Sequence, residues 1–226
     1  MKIILSLILV ISVYTFNLRH TKQDFDSYVM AVQWSNGYCL ANNCGSKADH
    51  VYKNTLTIHG LWPSLKSGKQ LSDCTSGVSI VDDGSTLFKN MKQYWPSFVA
   101  SNTNEYFWGH EYNKHGYCMV EEYGWDGYED YFEFVISLHL KTYKDIITKA
   151  FPNYSSTTVT VTYDNFVTAI QKVIPNATLK INCKSKYLYE IYFYVEKDFT
   201  PSTSSRFSNT CTSAKLVFKY HLCPPP

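Results

Sequence analysis

An α+β fold is predicted: a central antiparallel β-sheet with several helices packed against it, bridged by disulfides. Three observations predict it. Strand-like stretches are interspersed with helical patterns, without the regular alternation that builds a parallel sheet. Of 226 residues, 45% are hydrophobic and 16% aromatic, which supplies a sizeable core. Seven cysteines lie along the chain without a C-x-x-C pair, the usage of an exported, disulfide-bonded protein rather than a zinc site.

The elements follow in order. Residues 25–34 (FDSYVMAVQW) read as an apolar strand, and 54–61 (NTLTIHGL) as another, ended by Trp62-Pro63. From Asp82, a cap-like DDGS leads into a helix with Leu87, Met91 and Tyr94 on one side and Pro96 as its stop. Residues 127–150 carry the longest helical pattern, as one helix or two. TTVTVTY (157–163) reads as a strand, DNFVTAIQKVI (164–174) as a capped helix, and YLYEIYFYV and AKLVFKY as strands.

Residues 1–19 read as a signal peptide cut between about 15 and 22: Lys2 precedes the apolar run Ile3–Val13, which is too short to span a bilayer. Residues 20–226 then form a single domain with no membrane attachment after cleavage. Secretion, or delivery to a lysosome or vacuole, is the expected destination. Asn153 and Asn176 begin sequons that export would expose to glycosylation. The 21 Lys+Arg and 19 Asp+Glu nearly cancel, which excludes a partner held by bulk charge.

The chemistry concentrates in two stretches, Ile58-His-Gly-Leu-Trp-Pro63 and Phe107-Trp-Gly-His-Glu-Tyr-Asn-Lys-His-Gly-Tyr-Cys118. On a regular helix, His110, Glu111, Lys114 and His115 share one arc, Tyr112 and Asn113 point away, and Gly116 ends the helix. A solvated face with a Glu111–Lys114 pair is the bland alternative. The zincin pattern needs histidines at i and i+4, but the residue four after His110 is Lys114, whose charge repels a divalent cation. No metal and no cofactor are expected. Two histidines suit acid–base work near neutral pH, and a lysine suits a phosphoryl oxygen. This set fits a phosphodiester that carries its own nucleophile, as RNA does in its 2′-OH.

HGLWP and FWGHEYNKHGYC resemble the paired signature segments of the ribonuclease T2 family. The FDSYVMAVQW opening, Cys39, Cys44, YWPSF and the late strand–cysteine pattern extend the resemblance over nearly the whole mature chain. It implies an α+β endoribonuclease that transesterifies single-stranded RNA to 2′,3′-cyclic phosphates and then hydrolyses these to 3′-phosphates. By the same resemblance, His115 takes the 2′-OH proton and His59 protonates the leaving 5′-oxygen. His110 binds phosphate, while Glu111 and Lys114 stabilise its developing charge. Gln33 and Phe107 match base-contacting positions, and Trp62 is either a stacking platform or a core ring below the site. The chain departs at Ser64, where many members carry Asp, the adenine-recognising residue of the fungal type. Pairs Cys39–Cys44, Cys74–Cys118 and Cys183–Cys211 are implied, with Cys223 left over or paired with Cys183 instead. Tyr194 stands where many members have a further cysteine, and Tyr112 and Tyr117 are expected to tolerate change. His20, His50, His139 and His221 are expected to be structural or superficial. The rival readings are an RNA-binding or storage protein that has lost turnover, and a metal-dependent nuclease. The intact motif residues favour a monomeric enzyme with RNA as its partner.

Overall fold

The computed structural model describes residues 24–219 apart from 43, 46, 48–54, 68, 72–73, 75, 153–157, 203–207 and 213–214. The leader, Asn153, Cys223, His20, His50 and His221 lie outside the described residues. Strand β1 (Ser27–Trp34) lies between β2 (Leu56–Ser64) and β5 (Tyr187–Glu196), antiparallel to both. On the far side of β5, β4 (Thr178–Lys184) pairs antiparallel. Two-residue β6 (Ser208–Asn209) adds to β4 in parallel. Strand β3 (Thr158–Thr162) pairs antiparallel with β7 (Lys215–Lys219), which meets β5 in parallel at Tyr187 and Val217. The sheet is therefore antiparallel apart from two short parallel contacts, and its mixture with helices is the α+β class.

Alternation along β1 explains why that strand reads as a continuous apolar run. Tyr28, Met30, Val32 and Trp34 enter the main core, whereas Val29 and Ala31 pack with Trp62, Tyr192 and Tyr194 in a smaller cluster. The helices bury their apolar residues in the main core. Helix α1 (Ser35–Ala41) follows β1 directly; neither it nor β4 is among the elements read from the sequence. Helix α2 (Thr86–Tyr94) starts at Ser85, whose side chain accepts from Phe88 N–H, and buries Leu87, Phe88 and Met91. Helix α3 (Asn104–Glu111) is capped by Thr103 in the same way, through Tyr106 N–H. The 127–150 stretch divides into α5 (Tyr128–Leu138), a π-helical turn at His139–Tyr143, and a short helix at Ile146–Ala150. The helix Tyr163–Val173 is capped by Thr162, and Phe166 and Ile170 are its buried face.

Two expectations need correction. Strand β2 does not end at Trp62-Pro63 but runs through Ser64, with Pro63 opposite Tyr28. Proline is tolerated there because β2 is the sheet's edge, where a missing N–H removes no ladder bond. Gly116 does not end the second motif's helix. After α3 the chain makes a π-helical turn, Tyr112–Gly116, and continues as α4 (Tyr117–Tyr123), which stops at left-handed Gly124. Gly116 instead lets the turn lie against Tyr131: a Cβ there would come within 2.7 Å of its ring. Tyr112 is likewise no free surface ring, being 2% exposed and packed on Tyr131 and Phe132.

Gly116→Ala therefore forces a shift of Tyr131, and destabilisation of about 1–3 kcal/mol is expected. Urea unfolding of the two proteins checks this; an unchanged midpoint would contradict the close approach.

Candidate active site

His59 owes its direction to an irregularity in β2. Ala31 of β1 pairs with Gly60 and the next residue, Val32, pairs with Ile58, so His59 is an extra residue, a β-bulge. In a regular strand His59 and Trp62, three apart, would point to opposite faces. The bulge shifts the phase between them. Ile58 and Leu61 both enter the main core, while the His59 and Trp62 rings meet edge to face at 5.0 Å. The His59 carbonyl accepts from Trp95 Nε1 at 2.8 Å, which holds the bulge from behind.

Trp62 joins the strand to the second motif. Its Nε1 donates to Glu111 Oε2 at 2.8 Å, and its ring lies 5.3 Å from that of His115. Gly60 makes this possible, because a Cβ would fall 2.2 Å from Trp62 Nε1 and 2.3 Å from Glu111 Oε2. Trp62 is 5% exposed, with His59, His115 and Tyr192 around it, which is the position of a core ring beneath the site.

Glu111 and His115 are buried at 2% and 3% exposure, Lys114 is half-buried, and His110 is exposed. The four groups thus divide into two inward ones, Glu111 and His115, and two nearer solvent. His110 and Lys114 line an open groove with Tyr106 and Asn113. His59 Nε2 lies 3.6 Å from Glu111 Oε1, and His59 Nδ1 lies 2.5 Å from Glu190 Oε1. Glu190 is 3% exposed and also accepts from Asn182 Nδ2 at 3.0 Å. It is the residue that sequence reasoning missed; its only signal is a single charge inside the otherwise uncharged strand YLYEIYFYV.

The two histidines are treated oppositely. Burial favours neutral His59, but the Glu111 and Glu190 carboxylates together outweigh burial and Lys114, so its pKa is raised. Burial pushes His115 down to about 3; Lys114, His59 and His110 push the same way, against its bond to Leu71. His115 Nδ1 lies 2.9 Å from the Leu71 carbonyl, which can only accept, so Nδ1 carries the proton and Nε2 the free lone pair. Glu111 is raised by burial, opposed by His59, Trp62, His110 and Lys114.

A cleft of about 420 Å³ opens beside His59, lined by Gln33, Phe107, Tyr38, Ser97, Tyr189 and Glu190 among others. The Phe107 ring lies 5.6 Å from that of His59, and Gln33 is 5% exposed on the neighbouring strand. Ser64 is fully buried with its hydroxyl on the Trp62 carbonyl, so that position offers the cleft no polar group. His139 is buried, its Nε2 bonded to the Leu56 carbonyl, a structural role. Asn176 is exposed at positive φ between the Tyr163–Val173 helix and β4. Among the described residues, no group of three or more His, Cys, Asp or Glu is placed to hold a metal ion.

The bonded cysteine pairs are Cys39–Cys44, Cys74–Cys118 and Cys183–Cys211. Among the described residues, Cys74–Cys118 is one of three ties between the segment after β2 and the second motif. The others are His115 to Leu71, and Asn113, whose side chain accepts from Ser76 Oγ and Val78 N and donates to the Val78 carbonyl.

Fold and site together form an α+β sheet that sets a histidine flanked by two carboxylates beside a second histidine bonded to a backbone carbonyl. The chain belongs to the ribonuclease T2 family, whose model matches residues 25–211. It is a ribonuclease by family, and its relatives carry that name. Ribonuclease DdI of Dictyostelium discoideum is 29% identical over 182 residues, covering 77% of this chain and 75% of its own. Ribonuclease Rh of Rhizopus niveus is 30% identical over 211 residues, covering 84% and 81%. Ribonuclease MC1 from bitter gourd seeds shares the fold, with a TM-score of 0.66 at 24% identity over 85% of this chain and 99% of that one. RNase NT, with 5′-AMP bound, shares it at 0.65 and 22% identity, covering 88% and 100%.

If Cys74–Cys118 holds the second motif against β2, replacing both cysteines with serine lowers activity more than the same change at Cys39–Cys44. RNA-cleavage assays on variants shown to fold by circular dichroism check this; equal small effects would contradict the tether.

Proposed function

We propose that this chain cleaves single-stranded RNA with His115 as general base and His59 as general acid. The observation that carries the reading is the opposite environment of the two rings across Trp62. Neutral His115, its Nδ1 proton engaged by Leu71, offers Nε2 to the ribose 2′-OH. The 2′-oxygen attacks phosphorus as the P–O5′ bond breaks. Protonated His59 gives its Nε2 proton to O5′, leaving a 2′,3′-cyclic phosphate. Lys114 neutralises the phosphoryl oxygens, His110 binds them, and Glu111, fixed by Trp62, faces His59 Nε2 and favours the charged acid. In the second step water replaces the departed 5′-OH, the histidines exchange roles, and a 3′-phosphate results.

The cleft beside His59 suits the nucleoside on the leaving side. Phe107 offers a ring face, Gln33 an amide, and Ser97 a buried hydroxyl without a hydrogen-bond partner among the described residues. RNase NT, which shares the fold, carries 5′-AMP, in keeping with a nucleotide as ligand. Trp62 serves better as a positioning ring than as a platform, since its own surroundings are filled. Export through the 1–19 leader, to the outside or to a lysosome or vacuole, with glycosylation at exposed Asn176 and at Asn153, completes the proposal. The Extracellular ribonuclease LE of Solanum lycopersicum, 33% identical over 118 residues, lends it support.

Mass spectrometry of a short oligoribonucleotide digested in excess EDTA tests the chemistry. Early fragments should end in 2′,3′-cyclic phosphate and later ones in 3′-phosphate. DNA, and RNA 2′-O-methylated at the cleavage position, should stay intact. His59→Ala and His115→Ala should each reduce the rate about 10²–10⁴-fold, and the losses should not multiply. Early fragments bearing 5′-phosphates, or cleavage that stops with the chelator, would sink the reading.

The pH dependence follows from the same two environments. The free enzyme needs His115 neutral and His59 protonated. Since His115 is lowered to about 3 and His59 is raised, both conditions hold across mildly acidic pH. A broad bell in kcat/KM is expected, its alkaline limb lying above the ordinary histidine value of about 6.5. A rate that climbs steadily into alkaline pH would contradict the assignment.

A further inference from the structure

We propose that Glu190 is a positioning residue that orients His59 through Nδ1 and keeps it charged for proton donation. The proposal rests on the reading of His59 as the acid. Glu190 lies on β5, two strands from His59, yet it reaches across: its register partners are Gln33 on β1 and Asn182 on β4. One oxygen takes His59 Nδ1–H at 2.5 Å and the other takes Asn182 Nδ2–H at 3.0 Å. The carboxylate is held by Asn182 where it meets the ring.

That arrangement is hard to explain as packing. A buried carboxylate with a charged partner is weak evidence for stability, since its desolvation offsets much of the attraction, and an apolar side chain fills such a site as well. What it supplies is direction. With Nδ1–H engaged at the sheet, Nε2 is the nitrogen turned toward Glu111, where the leaving oxygen would be protonated. Among the described residues, the titratable groups facing His59 are Glu190 from β5, Glu111 from α3, and Lys114 and His115 from the π-turn, with Trp62 and Phe107 as uncharged neighbours. Lys114 opposes the charge on His59. Glu111 favours it but is also bonded to Trp62 and shared with Lys114 and His110. Glu190 is the carboxylate nearest His59 and stands behind the ring, away from the phosphoryl centre.

The test is proton NMR titration of the His59 ring in the free enzyme, assigned with His59→Ala, beside the pH profile of kcat/KM. In Glu190→Gln an amide oxygen can still accept from Nδ1, so only the charge is lost. The His59 midpoint and the alkaline limb should both move down by about one pH unit or more, with the acid limb unmoved. Glu190→Asp, its carboxylate withdrawn by one methylene, should fall between Gln and the unmodified protein. It carries the test alone if Glu190→Gln does not fold, as a lowered midpoint. A folded Glu190→Gln with midpoint and limb unmoved overturns the proposal. Failure of the catalytic reading looks different: His59→Ala would retain its rate, while the NMR midpoint would still report whether Glu190 governs His59.

Discussion

The site depends on one extra residue in an edge strand. Without the bulge at His59, strand alternation would set His59 against the core or turn Trp62 out of reach of Glu111, and either outcome separates the motifs. With it, Ile58 and Leu61 keep the strand anchored in the main core while both site rings face the other way. The irregularity is held rather than tolerated. Trp108 Nε1 donates to the Trp95 carbonyl, and Trp95 Nε1 donates to the His59 carbonyl, so two fully buried indoles carry the core's rigidity to the bulge. The weight of aromatic residues in the composition has a mechanical use here, since each indole adds a donor to a large apolar body.

A second irregularity answers the first. The π-turn spans Tyr112–Gly116 between α3 and α4; Glu111 and His115, four apart, both face inward, while Asn113 on the turn clamps the neighbouring segment. Gly60 and Gly116 mark where the two irregular pieces press on their surroundings. A methyl at Gly60 would occupy the space of the Trp62–Glu111 hydrogen bond, and one at Gly116 would enter the Tyr131 ring. Tyr131 itself donates from its hydroxyl to the Leu61 carbonyl, so α5 touches both motifs at once. Strand, helix and turn are therefore mutually keyed.

What was legible in the sequence is what depends on residue type, and what was not depends on phase. The α+β class, the strands at 25–34 and 187–195 and the capped helix after Ser85 follow from composition and periodicity, and the five ionisable motif residues stand out by residue type and by the resemblance of their two segments to the family. Periods of 2.0 and 3.6 presuppose regular elements, so neither the bulge nor the π-turn leaves a trace in them. The helical arc drawn from Gly116 as a stop is the direct result. Pro63 misled for a related reason: it reads as a terminator until the strand is known to be an edge. Glu190 was hidden differently, since a lone carboxylate in an alternating strand reads as a solvent-facing position. Only the pairing with β1 and β4 shows that this face is covered.

The proposed division between acid and base is likewise a property of placement. Both imidazoles start from the same intrinsic basicity. His59 comes from the sheet, where buried carboxylates on α3 and β5 flank it, and their fields add. His115 comes from the π-turn, where its near partner is a neutral carbonyl and its charged neighbour is Lys114. Placing both histidines on one helix would expose them to the same glutamate and the same lysine and would level the difference. Drawing one from a strand and one from a helix, with Trp62 between them, keeps the two environments distinct.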